Sequence, residues 1–313
     1  VQVGPTMDEV ISIVEKVLES HGRKQMENPP KPGIHPRSNA FIHAMPAYLP
    51  EWPVAGMKWV SSFPSNNQRS LPAVMGLIVL NDVETGQPLA IMDCQWITAM
   101  RTGAASAVSA KYLARQDAAV LGIVGAGVQG RFNLTALQRV LPGLKLVKVY
   151  DLFEESALRF SREMSEKTDV EVRPTGSAEE AIRESDVIVT ATGKLEKVVF
   201  FEAWVKTGAL VLPVHHRGWE NRMLQSADKF TTDDWEQLQS AHRTVGGFDG
   251  PLPPLHAEIG EIIIGAKPGR QAENERIVSM NYGLAIEDLG VAQAVYHKAI
   301  KAGLGQRWTL MNV

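Results

Sequence analysis

The sequence has a single cysteine, Cys94, so no intramolecular disulfide can form. That excludes the disulfide-stapled secreted class and points to a reduced, cytoplasmic protein. It has no excess of basic residues: 32 Lys and Arg stand against 35 Asp and Glu, a net charge of −3, with no basic block. A nucleic-acid partner needs clustered cations along its phosphate backbone and is not expected. No apolar run reaches the roughly 18 residues that a spanning helix requires, and no signal peptide is visible, so no membrane partner is expected either. There is no internal repeat and no low-complexity tract. What remains is an ordinary globular composition, 44% hydrophobic over 313 residues. At about 100–200 residues per domain, that length suggests two domains.

The two parts differ in rhythm. Residues 6–24 read as an amphipathic helix, with Thr6 and Glu9 at capping-box spacing and Val10, Ile11, Ile13, Val14, Val17 and Leu18 forming a stripe. Seven prolines between residues 26 and 56 (Pro29, Pro30, Pro32, Pro36, Pro46, Pro50, Pro53) favour extended or edge segments over helix. Short strands at 57–61, 74–80 and 88–92 then predict an antiparallel sheet. An alanine-rich helix follows over 96–114, and Gln116-Asp117 is the expected domain boundary. From Ala118 onwards strands alternate with helices. Strands fall at 120–124, 146–150, 170–172, 187–190, 209–214 and 229–232, with helices at 128–140, 154–167 and 178–184. Alternation of this kind predicts a parallel, doubly wound sheet. A final alanine-rich helix, about 283–303, is placed to return to the first part of the chain.

The turn Gly125-Ala126-Gly127-Val128-Gln129-Gly130 follows a strand and opens a helix. The next strand ends in Asp151, 21 residues after Gly130, close to the spacing of about 20 expected in a dinucleotide-binding fold. Gly125 permits the tight turn, Gly127 a close approach to a pyrophosphate, and Gly130 close packing of helix on strand. The helix N-terminus offers free N–H groups to phosphate. Asp151 suits the adenosine ribose hydroxyls and repels a 2′-phosphate, with no arginine at 152 or 153 to neutralise one, so NAD is favoured over NADP. Thr190-Ala191-Thr192-Gly193, at a strand's C-terminal end, reads as a wall for the nicotinamide ribose or as a plain strand-to-loop transition.

Two basic residues interrupt apolar segments. Lys58, in Gly56-Met57-Lys58-Trp59-Val60, either points into a cleft to hold an anion or faces solvent on the alternate face. Arg101, in Thr98-Ala99-Met100-Arg101-Thr102-Gly103, reads as bidentate capture of a carboxylate or phosphate, or as a structural ion pair.

Taken with Met45-Pro46-Ala47-Tyr48, Leu71-Pro72 and Gly283-Leu284-Ala285-Ile286-Glu287-Asp288, these blocks resemble the ornithine cyclodeaminase/mu-crystallin family over nearly the whole chain. The resemblance implies a homodimer and an α/β fold: a Rossmann-type doubly wound parallel sheet over 116–284, and a smaller α+β substrate-binding and dimerisation domain over 1–115, completed by residues 285–313. It implies that Lys58 and Arg101 hold the α-carboxylate of a small amino or imino acid, that Lys31 is a third basic contact, and that Thr102 lies near the cofactor phosphates. The implied cofactor set is Thr102, Gly125, Gly127, Val128, Gln129, Gly130, Asp151, Thr190, Ala191 and Thr192.

The sequence departs from the family's cyclodeaminases in one place. They carry a proton-transferring aspartate shortly after the fifth Rossmann strand; here that stretch reads Pro213-Val214-His215-His216-Arg217-Gly218-Trp219-Glu220. A basic loop disfavours an ammonium. His215 and His216 are candidate proton-transfer groups, and Arg217 a candidate substrate contact. The alternative is that the three merely line the cleft or pair with Glu220. Asp233 and Asp234 read as loop or capping acids. No metal site is expected. The leading expectation is an NAD(P)-dependent oxidoreductase transferring hydride at the CH–NH or C=N bond of a small amino or imino acid. A cyclodeaminase-type lyase and a non-enzymatic mu-crystallin-like binder are the alternatives.

Overall fold

The computed structural model describes residues 4–309 except 194, 196, 216 and 246–249. It contains two sheets. The first is antiparallel, in the order β1 (Gly33–Arg37), β2 (Ala40–Leu49), β3 (Val54–Ser62), β4 (Val74–Asn81) and β5 (Pro88–Asp93). The proline-rich segment thus supplies β1 and β2, and β1 occupies a fully exposed edge. That is where the missing N–H of Pro36 is tolerated.

Alternation sorts this sheet into two faces. Met45, Ala47, Leu49, Val54, Lys58, Val60, Ile78 and Leu80 are buried. The opposite face is apolar yet open: Trp59 pairs across with Leu77, Ile91 pairs with Val79, and Trp59, Leu77 and Ile91 are 44%, 47% and 62% exposed. Helix α1 (Met7–Gly22), closed by the Thr6–Glu9 capping box, packs against α2 (Gln95–Leu113).

The second sheet is wholly parallel and holds β6 (Val120–Val124), β7 (Leu146–Tyr150), β8 (Glu171–Pro174), β9 (Val187–Thr190), β10 (Leu210–Pro213), β11 (Lys229–Thr232), β12 (Ala257–Glu258) and β13 (Ile277–Ser279). Helices α3 (Val128–Val140), α4 (Glu154–Ser165) and α5 (Ala178–Ile182) alternate with its first strands. Later come α6 (Asn221–Gln225), α7 (Trp235–Val245) and α8 (Ile259–Ile263). The strand order is β12-β11-β13-β10-β9-β6-β7-β8, so the winding reverses between β6 and β9. Ligands of open α/β sheets bind at such a reversal, beyond the strands' carboxyl ends. Strands β12 and β13, with two and three residues, were not expected from the sequence, nor was the insertion of β13 between β10 and β11. Such short strands carry no period to read.

The last helix, α9 (Ala285–Lys301), packs on β2, β3 and β4 and on α1 and α2. It covers the buried face of the antiparallel sheet, with Leu289, Val291 and Ala292 each fully buried. No helix among the described residues is long and apolar enough to cross a membrane.

Candidate functional site

The glycine turn sits where the sheet reverses. Gly125 has φ +111°, and a Cβ there would meet the Ala191 carbonyl oxygen at 2.5 Å and the Thr192 nitrogen at 2.9 Å. The turn after β6 and the loop after β9 are therefore in direct backbone contact, and only glycine permits it. A Cβ on Gly130 would strike the Gly125 carbonyl oxygen. A Cβ on Gly127 would meet nothing within 4 Å. Gly127 is the N-cap of α3, no side chain caps that helix end, and no acid lies in its first turn. An uncapped helix start beside open space has the form of a phosphate cradle.

Asp151 accepts hydrogen bonds from the Ala126 N–H at 2.8 Å and the Phe153 N–H at 3.0 Å, so its carboxylate lies against the turn. Thr192 Oγ1 and Gln129 Oε1 are buried with no partner among the described residues, which leaves both available to a ligand. These features fit a dinucleotide. Thr190 is already used: its Oγ1 accepts from Trp219 Nε1 at 3.1 Å. Thr102 adjoins Gly103, where a Cβ would meet the Phe132 carbonyl oxygen of α3 at 2.5 Å, so Thr102 flanks the cradle's helix. Val128, first residue of α3, is 62% exposed.

In the loop after β10, the Arg217 N–H donates to His215 Nδ1 at 3.2 Å, and Glu220 accepts from the Glu202 N–H at 3.1 Å. His216 lies outside the described residues.

The basic residues form the second half of the site. Lys58 points to the inner face of β3, 1% exposed, and donates to Asp288 Oδ1 at 2.8 Å. Arg101 Nε donates to the same oxygen at 3.1 Å, and its Nη1 lies 3.3 Å from Glu287 Oε2. Asp288 and Glu287 are both fully buried in the first turn of α9, and Asp288 Oδ2 and Glu287 Oε1 have no partner among the described residues. Lys31 Nζ donates to the Tyr282 carbonyl at 3.0 Å and the Gly283 carbonyl at 2.6 Å, and lies 3.7 Å from the centre of the Tyr282 ring. Gly283 (φ +80°) presses its backbone against the Arg101 guanidinium, where a Cβ would clash. Asp233, following β11, fixes this loop by accepting from the Tyr282 N–H at 2.8 Å and the Gly283 N–H at 2.5 Å. Asp234 accepts from the Gln237 N–H at 3.0 Å at the start of α7. The two acids thus serve as loop and capping acids. Lys58 was open between a cleft-facing and a solvent-facing side chain; its burial excludes the solvent-facing one.

The buried groups of the cluster shift one another. Burial pushes the Asp288 carboxyl up, but Arg101 and Lys58 outweigh it and hold it below its ordinary value. Glu287 differs: burial raises it to about 8, against the pull of Arg101. Burial lowers Lys58, with Asp288 working against it, while, against burial, Asp288 and Glu287 hold Arg101 above its ordinary value. Burial lowers Lys31 to about 7, countered by Asp233.

A pH signature follows from Glu287. The unfolded chain releases this proton near 4.5 and the folded chain near 8. Between those values the folded form holds more protons, so this group's contribution to stability declines as pH rises and is level above the window. Thermal melts of Glu287→Gln and the parent chain from pH 5 to 8 should diverge steadily, the variant gaining on the parent with rising pH. A constant difference would place the proton elsewhere.

Sequence reasoning did not single out Asp288, Glu287 or Asp233 as site residues. Two acids in the first turn of a helix look like ordinary dipole partners. The available signal was their position within an otherwise apolar helix start, Leu284-Ala285-Ile286-Glu287-Asp288-Leu289.

A glycine turn and uncapped helix start at the reversal of a doubly wound sheet, together with a buried cluster of Lys58, Arg101, Asp288 and Glu287 between the antiparallel sheet and the last helix, define a nucleotide-binding α/β protein. Within that class, the chain belongs to the ornithine cyclodeaminase/mu-crystallin family, whose profile matches residues 1–303. The nodulation efficiency protein NfeD of Rhizobium meliloti is 39% identical over 94% of this chain and 91% of its own. Among solved structures, Thermococcus litoralis Δ1-pyrroline-2-carboxylate reductase in complex with NADH and L-proline is 34% identical and superposes with a TM-score of 0.88, covering 97% of this chain and 96% of its own. An archaeal alanine dehydrogenase dimer with bound NAD, also 34% identical, gives a TM-score of 0.86 over 98% of this chain and 96% of its own.

Proposed function

We propose that this chain is an NAD(H)-dependent oxidoreductase that transfers hydride at the C=N or CH–NH bond of a small imino or amino acid. The observation that carries the reading is the convergence of two buried basic side chains, Lys58 and Arg101, on one carboxylate oxygen of Asp288, with Lys31 reaching the Tyr282–Gly283 loop that packs on Arg101. It suits a ligand that brings one carboxylate. The related solved structures hold NADH with L-proline and NAD, a cofactor and substrate of this kind.

In this reading the glycine turn and Asp151 hold the dinucleotide, whose nicotinamide supplies or accepts the hydride. Asp151 favours the free ribose hydroxyls of NAD over NADP. Arg101 takes the substrate carboxylate in exchange for part of its contact with Asp288. Lys58 keeps Asp288 charged and in place during that exchange. Glu287, neutral below about pH 8, does not compete for Arg101 as a second anion. Holding the carboxylate sets the α-carbon against the ring, and such positioning supplies much of an enzyme's rate. His215, in the loop after β10, transfers the proton at the substrate nitrogen, with His216 the alternative on the same loop. Arg217 contributes to the loop's positive charge.

The test is stoichiometry. Purified enzyme with NADH and Δ1-pyrroline-2-carboxylate, or with pyruvate and ammonia, should consume one NADH per amino acid formed. Conversion of ornithine to proline and ammonia without net NADH change would replace this reading with a lyase.

The open face of the antiparallel sheet supports a homodimer in which a second copy covers Trp59, Leu77 and Ile91. Contiguous exposed apolar side chains mark interfaces, and one related structure is a dimer. Replacing Leu77 and Ile91 together by aspartate should halve the mass measured by light scattering, from twice 34.3 kDa to 34.3 kDa. An unchanged mass would move the interface elsewhere.

A further inference from the structure

Beside the Lys31 amine lies a cavity of about 150 Å³, lined by Lys31, Gly33, His35, His43, Gln237 and Tyr282 among others. We propose that this cavity receives a second carboxylate, so that the preferred substrates are dicarboxylic imino or amino acids. The proposal rests on the hydride-transfer reading above and names its substrate class.

Three observations carry it. The first is the lining: among the described residues it includes the Lys31 amine, two imidazoles and an amide, with no aspartate or glutamate. Such a wall is rich in hydrogen-bond donors, which suits an anion.

The second is that the imidazole arrangement is built. His43 lies opposite Gly33 in the β1–β2 pairing, and a Cβ on Gly33 would run into the His43 ring, 2.9 Å from its Nε2. The glycine therefore makes room for that ring across the strand. Phe41 stacks on its other side, 4.1 Å between centroids and 21° from parallel, and His35 meets it edge-on at 6.3 Å. Burial, with help from Lys31 and His35, lowers His43 to about 4, so it is a neutral donor near pH 7 and does not repel Lys31.

The third is connection to the main site. Lys31 Nζ is bound to the Gly283 carbonyl at 2.6 Å, and Gly283 is the residue packed on the Arg101 guanidinium. One loop residue thus separates the cation proposed for the α-carboxylate from the cavity. In the proposed binding mode one carboxylate of a short substrate lies at Arg101 and the other in this cavity.

Calorimetric titration of the NADH-loaded enzyme with succinate and butyrate, four-carbon acids differing by one carboxylate, tests the pocket directly. Succinate should bind at least tenfold more tightly. The His35→Ala/His43→Ala double variant should lose most of that advantage, and His43→Gln, which restores a donor, should recover part of it. The melting temperature and NADH affinity of each variant check that the fold is intact. Equal affinity for the two acids, or an advantage that survives in the double variant, overturns the proposal. In parallel, NAD-dependent oxidation of L-glutamate and L-aspartate should exceed that of L-alanine in kcat/KM, and the ratio should collapse in the double variant. Oxidation of L-alanine alone would sink the dicarboxylate preference and leave hydride transfer standing. No oxidation or reduction with any substrate would sink hydride transfer, while the titration still decides the pocket.

Discussion

Asp288→Ala should destabilise the protein by about 3–5 kcal/mol, the usual cost of removing one partner from a buried ion pair, and should abolish turnover. Asp288 Oδ1 is the common acceptor of Lys58 Nζ at 2.8 Å and Arg101 Nε at 3.1 Å. Lys58 has no access to water that could take over, being 1% exposed. Its own proton affinity is already lowered by burial and sustained by Asp288. Without the aspartate, Lys58 must lose its proton or the end of α9 must open to hydrate it. Either outcome disturbs the helix that covers the antiparallel sheet. Differential scanning calorimetry should register a drop in Tm on the order of 10 °C. The double variant Lys58→Met/Asp288→Leu separates the two cations: it should recover part of the stability, because the buried lysine is gone while Arg101 still lacks its acceptor, yet remain inactive. An Asp288→Ala protein that melts like the parent would mean the charge cluster does not hold α9 in place.

Gly127→Val should leave folding nearly untouched and lower NADH affinity about 100-fold, or roughly 2.7 kcal/mol. Gly127 has φ −86° and ψ −161°, an extended conformation open to any residue. A Cβ there meets no protein atom within 4 Å. The penalty for a β-branched N-cap in place of glycine is about 1 kcal/mol or less. The added methyls instead occupy the space above the uncapped start of α3, where a pyrophosphate would approach the backbone N–H groups. Gly130→Val is the contrasting case. Its Cβ would overlap the Gly125 carbonyl and approach the Phe160 ring at 3.3 Å, so both folding and binding should suffer. Fluorescence titration with NADH, set beside thermal melts, distinguishes the two. Unchanged NADH affinity in a well-folded Gly127→Val protein would remove the phosphate cradle from this turn.

Local signals carried much of the architecture. The capping box at Thr6, the strand–glycine–helix order around Gly125 and the acid at Asp151 were legible because each rests on contacts within a few residues or on backbone geometry that only certain residues allow. The doubly wound class followed from the alternation of strands and helices. Arg101 and Lys58 stood out because charge in an apolar stretch is costly and must be answered by something. What answers it was not legible. Asp288 lies 230 residues from Lys58 and 187 from Arg101 along the chain, and no local period links them. Their meeting depends on the return of α9 across the antiparallel sheet. The same holds for β13, whose three residues find their place between β10 and β11 only through the finished sheet, and for the cavity at Lys31, which needs β1, β2 and the Tyr282 loop together. The sequence by itself determined the glycine turn, the class of fold and the candidacy of Lys58 and Arg101, since propensity, spacing and charge within apolar stretches are properties of short segments. Tertiary structure alone decided which carboxylates those cations share and where the pocket beside Lys31 opens, because burial and long-range pairing exist only once distant segments are packed together.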